Sequence, residues 1–156
     1  AEGKAHNVIT TGGVEIAVQE WADEAKTTPF EDLSGVVPNT TVTKIAEIKN
    51  TGASDAWVRV KVEKNIKLQG EGTPDTSLGG LARSANHWTE KDGYYYYTKP
   101  LKPGEVTAPI FTAVTFKADM GNEYQNATAT VDVFAQAVQT ANNGATVMAA
   151  QGWPKA

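Results

Sequence analysis

Apolar and polar residues alternate with a period of two along most of this chain, the pattern of strands that bury one face. In Val14 to Glu20, Val14, Ile16 and Val18 fall on one face and Glu15, Ala17 and Gln19 on the other. Thr40 to Lys49 is rich in β-branched residues and predicts a second strand. In the next strand Ala56, Val58, Val60 and Val62 oppose Trp57, Arg59, Lys61 and Glu63, and Lys64 to Leu68 extends it. Ile110 to Lys117 places Thr112, Val114 and Phe116 together. Ala127 to Val138 gives the longest alternation, Ala129, Val131, Val133, Ala135 and Ala137 against Thr130, Asp132, Phe134, Gln136 and Val138, and predicts a strand in the middle of a sheet.

Turn and loop residues punctuate these strands. Gly12-Gly13 breaks the weakly patterned N-terminal run, and Asn50-Thr51-Gly52 predicts a turn. Trp21 to Pro38 predicts a loop with a short helical turn near Phe30 to Leu33. Gln69 to Arg83 predicts a long surface loop, followed by a strand over Asn86 to Thr89. Ala118 to Gln125 predicts another loop, and the tail after Asn142-Asn143-Gly144 a short helix that turns Val147 and Met148 inward and stops at Gly152 and Pro154.

Between Asp92-Gly93 and Pro103-Gly104 lies the run Tyr94-Tyr95-Tyr96-Tyr97. On a strand, Tyr94 and Tyr96 share one face and Tyr95 and Tyr97 the other, so both faces carry large amphipathic rings. One face serves the core, and the other packs on neighbouring side chains or on a second subunit; Tyr95 and Tyr97 are the candidates for that contact. The Pro38 to Val62 segment echoes Pro103 to Val133: each reads as turn, strand, connection, strand. Paired units of this kind fit an all-β, two-sheet sandwich in which each sheet takes one strand of each unit.

The 156 residues suffice for one domain with a sizeable core. A net charge of -4 with scattered basic residues offers no surface for nucleic acid, and the apolar runs fall far short of the ~20 residues that span a bilayer. The chain begins at Ala1 rather than Met, as expected of either a processed export product or a trimmed sequence. Without cysteine there is no disulfide, thiol nucleophile or thiolate site. Zinc-peptidase, hydrolase-elbow and phosphate-loop motifs are absent, and His6 and His87 are isolated imidazoles, so neither an enzyme nor a cofactor is expected. Asp119 to Glu123 groups oxygen ligands without the spacing of a calcium loop, and Asn39 and Asn126 head short glycosylation sequons.

Several stretches, in order, resemble the TasA/camelysin family of exported bacterial proteins. They are Asn7 to Ile16, Gly35 to Val42, Asn50-Thr51-Gly52 with Ala56 to Val60, Gly93 to Glu105 with Thr107, Pro109 and Phe111, Asn122 to Asn126, and Val131 to Asn143. The resemblance implies a jelly-roll-like sandwich, export through a dedicated type of signal peptidase, and an extracellular role as a structural subunit of matrix fibres or pili. It also implies that the N-terminal segment leaves its own subunit and completes a sheet of the next, in a head-to-tail homopolymer. Residues 1–11 would be that donor strand and 12–156 the sandwich, with Ala5, His6, Asn7, Val8, Ile9, Thr10 and Thr11 pairing and Gly12 and Gly13 as hinge. Family members also carry a metallopeptidase label, for which this sequence has no zinc-binding helix. Two alternatives stand beside the filament subunit: a secreted camelysin-like metallopeptidase, and an adhesin or carbohydrate-binding sandwich using Tyr95, Tyr97 and Trp88.

Overall fold

A computed structural model describes residues 7–10, 13–30, 33–34, 37–68, 79–83, 86–117, 120, 124 and 127–154. The strands are β1 (Asn7–Thr10), β2 (Ile16–Trp21), β3 (Leu33–Ser34), β4 (Thr40–Asn50), β5 (Ala56–Lys67), β6 (Gly79–Arg83), β7 (Trp88–Lys91), β8 (Tyr94–Tyr97), β9 (Phe111–Phe116) and β10 (Thr128–Gln139). They form an all-β sandwich. One sheet runs β1-β10-β5-β8-β7, with β3 also on β10, and the other runs β2-β4-β9-β6. The two echoing units are divided as their pattern predicts: β4 and β9 pair in one sheet, β5 and β10 in the other.

The β5–β10 ladder is antiparallel and unbroken from Ala56↔Gln139 to Lys67↔Thr128. Its register puts Val58, Val60 and Val62 opposite Ala137, Ala135 and Val133, so the apolar phases of both strands meet on one face. That face packs on Ile16, Ala46, Ile48, Phe111, Val114 and Phe116 of the facing sheet. The segment after β8 ties the sheets together at one end. Leu101 bridges Ala56 and Val106 bridges Lys49, while the buried Thr107 hydroxyl accepts the Ile48 amide at 3.0 Å. Asn50, fully buried, donates from its side-chain amide to the carbonyls of Ser54 and Leu101, each at 2.8 Å, and accepts Gly52 N–H at 2.8 Å. The expected Asn50-Thr51-Gly52 turn is therefore also an internal fastener.

Other expectations need correction. The segment near Phe30 to Leu33 is expected to turn helically; residues 31–32 lie outside the described residues, and Leu33–Ser34 pairs antiparallel with Ala129 and Thr128 as a short strand on the β10 edge. Gly79–Arg83, expected in a loop, forms β6 on the edge beside β9, where backbone pairing compensates for weak strand propensity; residues 69–78 lie outside the described residues. The tail forms only a single 3₁₀ turn, Val147–Ala149. Val147 points inward, but Met148 stays 39% exposed, since so tight a turn cannot bury two adjacent side chains.

Val133 is 1% exposed at the centre of the longest ladder. An unpaired carboxylate buried there costs several kcal/mol, against a total stability of ~5–15 kcal/mol. Val133→Asp should abolish cooperative thermal unfolding, whereas Thr130→Asp, on the other face, should keep it; calorimetry of the two variants compares them.

Candidate functional site

The chain reaches its first described strand at the free side of β10. β5 covers the other side of β10 along its length, so β3 and β1 share this edge, β3 at Thr128 and Ala129 and β1 at Phe134 to Ala137. β1 runs parallel to β10, with Asn7↔Phe134, Val8↔Ala135, Ile9↔Gln136 and Thr10↔Ala137. Alternation turns Val8 toward the core and leaves Ile9, 38% exposed, on the outer face. There Ile9 joins Lys61, Glu63, Tyr94, Phe134 and Gln136 around a shallow groove of about 110 Å3. The structure places Asn7 to Thr10 on the chain's own sheet, where the resemblance implies a strand given to the next subunit. Gly13 follows with φ +77°. Ala5, His6, Thr11 and Gly12 lie outside the described residues, as do Asp119 and Glu123.

Between the two berths on this edge, Val131 carbonyl accepts the Lys44 ammonium at 3.0 Å. Lys44 comes from β4 of the facing sheet, pairs with Glu20 at 3.4 Å and sits 4.5 Å from the Phe30 ring centre. Both side chains are buried, 5% and 9% exposed. The sequence carries a signal for this pair that belongs to no catalytic motif. Glu20 continues the phase of Val14, Ile16 and Val18, and Lys44 lies in phase with Val42, Ala46 and Ile48. A charge in the apolar phase of a strand marks a buried ion that needs a partner. Nearby, Glu47, 3% exposed, takes the Lys26 ammonium at 2.6 Å and the Trp21 indole N–H at 3.1 Å.

The loop that delivers Lys26 is held by Asp23, whose carboxylate accepts Thr27 N–H at 3.0 Å, Thr28 N–H at 3.1 Å and the Thr27 hydroxyl. The Thr27 hydroxyl foremost, then the Thr28 amide, hold its pKa below the usual aspartate value.

The tyrosine run alternates as expected, but the candidates for a subunit contact must be corrected. Tyr97 is 6% exposed and Tyr95 packs on the same core; the Tyr97 hydroxyl accepts Ala108 N–H at 3.3 Å. The reason lies in register: β8 pairs with β5 as Arg59↔Tyr96 and Val60↔Tyr95, so the odd tyrosines share the face of Val60. Trp88 is buried beside Tyr97, its indole donating to Ala108 carbonyl at 3.0 Å. These rings therefore offer no sugar platform. The outer face belongs to Tyr94 and Tyr96, where the Arg59 guanidinium lies 4.0 Å from the Tyr94 ring and 4.7 Å from Trp153. Arg59 also donates to Gln136 Oε1 at 2.7 Å and to Tyr96 hydroxyl at 3.0 Å. Among the described residues no group of three or more His, Cys, Asp or Glu is placed to hold a metal; His87 lies edge-on to Tyr97.

Two outcomes follow from the charged groups. Lys44→Met removes one partner of buried Glu20 and should lower stability by up to about 3 kcal/mol, while Lys44→Met with Glu20→Leu recovers most of the loss; denaturant midpoints of the single and double variants measure it. Because the Asp23 pKa is lowered on folding, the ionised carboxylate stabilises the loop above the unfolded aspartate pKa, and this is lost as pH falls through the lower folded value. Protection of the Thr27 and Thr28 amides from hydrogen exchange should fall over that acid range and be absent at every pH in Asp23→Ala.

No protein-family model matches this chain, and no curated protein matches it.

Proposed function

We propose that this chain is the structural subunit of an extracellular filament, polymerising head to tail when its N-terminal strand moves from its own β10 edge to the same edge of the next subunit. The observation that carries this reading is that β1 is a four-residue parallel strand added at the edge of β10, followed by the Gly13 turn. Exchange replaces each pairing with an identical one, so the route to assembly costs little in contacts. It also keeps the amides and carbonyls of the β10 edge paired, where an open edge invites indiscriminate strand addition. Parallel ladders are slightly weaker per residue than antiparallel ones, which suits an element that must release. A contact that does not close on itself extends without limit. The ordered resemblance to exported matrix-fibre proteins supports the same reading.

Residues 1–11 carry the donor segment, so their deletion should give a folded, cooperatively melting monomer that forms no fibres under conditions in which the full chain does. Negative-stain electron microscopy and light scattering distinguish the two. Fibres of normal appearance from the deletion variant would leave lateral packing of the sheets in place of strand exchange.

A further inference from the structure

The C-terminal segment lies over the outer face of the β5–β10 ladder. Trp57 and Val138 of that face, with Tyr96 of the adjoining β8, are buried with Val147 and Ala150, and Trp153 meets Tyr96 edge-on at 5.9 Å. One side chain pins the segment. Asn143 donates to the carbonyls of Gln139 and Gln151, each at 3.0 Å, and its Oδ1 accepts Gln151 N–H at 2.8 Å. Both donor hydrogens and the acceptor are used, so the carboxamide works as a rung joining the end of β10 to the chain just before Trp153.

The next residue is Gly144, with φ +88°, and a Cβ there would lie 2.9 Å from the Ala149 side chain. Only glycine fits, and an Asn-Gly pair is the sequence whose backbone nitrogen most freely reaches the preceding carboxamide. Beneath the segment, the Trp57 indole N–H is buried with no hydrogen-bond partner among the described residues. An unmet buried donor weakens the closed state and gains a water partner when the segment lifts.

We propose that Asn143 is a modification site that works as a one-way latch for this segment. When the segment lifts, Gly144 nitrogen attacks Asn143 Cγ. The N–Cγ bond forms, the Gly144 N–H proton passes through solvent to Nδ2, the Cγ–Nδ2 bond breaks and ammonia leaves, giving a succinimide. Water then opens the ring at either carbonyl, producing aspartate or isoaspartate. The new carboxylate has no hydrogens to donate to the carbonyls of Gln139 and Gln151, and its charge faces both oxygens. The segment does not close again, and the Trp57, Tyr96 and Val138 face stays uncovered. In the latched state the three hydrogen bonds hold the carboxamide, so conversion draws on the lifted fraction alone.

The test needs the full chain and the peptide of residues 139–151, both kept at mildly alkaline pH and 37 °C and followed by mass spectrometry. The folded chain should gain the one-dalton deamidation shift at Asn143 at least about tenfold more slowly than the peptide, as closure of this segment requires. Converted chain, and Asn143→Asp made directly, should lose exchange protection at Gln151 N–H and show Trp153 quenched more readily by acrylamide. Asn142→Asp should behave as wild type. Conversion at the peptide rate, no conversion at Asn143 even when the chain is held unfolded in denaturant, or a converted chain with Gln151 and Trp153 still protected, each overturns the latch. The converted wild-type chain answers the question even if Asn143→Asp does not fold.

Discussion

Twelve residues of β5 paired with twelve of β10 form the constraint on which the rest of the molecule hangs. One face of that ladder carries valines and alanines into the space between the sheets. The other carries Trp57, Arg59, Gln136 and Val138 into a second, mixed layer beside the tail. Its free side takes β3 and β1. A shift of one residue would exchange the two faces and put Arg59 among the core valines, so burial on one side fixes the register on all three.

The charges inside the sandwich show how such a fold gains specificity at some cost in stability. A buried ion pair rarely repays its own desolvation, and a hydrophobic replacement of both partners often does as well. Lys44 does something an apolar residue does not: it hydrogen-bonds the Val131 carbonyl of the opposite sheet, at the stretch of edge between β3 and β1. A misplaced sheet would cost that ammonium its bond to the Val131 carbonyl. The pair thus penalises alternative alignments of the two sheets, a role that apolar contacts, being non-directional, serve poorly.

The N-terminal strand and the tail share one surface. Tyr94 packs on the Arg59 guanidinium on one side and lines the groove beside Ile9 of β1 on the other. The C-terminal cover and the N-terminal strand are therefore neighbours on the outer face, joined through a few aromatic and guanidinium contacts. Cation–π contacts of this kind are worth about 0.5–2 kcal/mol each, enough to order a segment but small enough to release it.

Much of the fold was legible in the sequence because burial of one strand face writes period two directly into it. The Val58 to Val62 and Ala129 to Ala137 phases and the two-sheet sandwich all follow from residue order. Short or edge elements did not follow, since β3 and β6 are strands by virtue of the partner that receives their backbone rather than by their own side chains. The face assigned to Tyr95 and Tyr97 could not be read either. Alternation says that they oppose Tyr94 and Tyr96, but only the pairing of β8 with β5 decides which set meets the core. Of the candidate site, Asn7 to Thr10 was named as a pairing strand through a family resemblance. Its parallel seat on β10, the Lys44 contact with Val131 and the Asn143 rung come from positions far apart in sequence, and close contact between such positions is a property that only the tertiary structure creates.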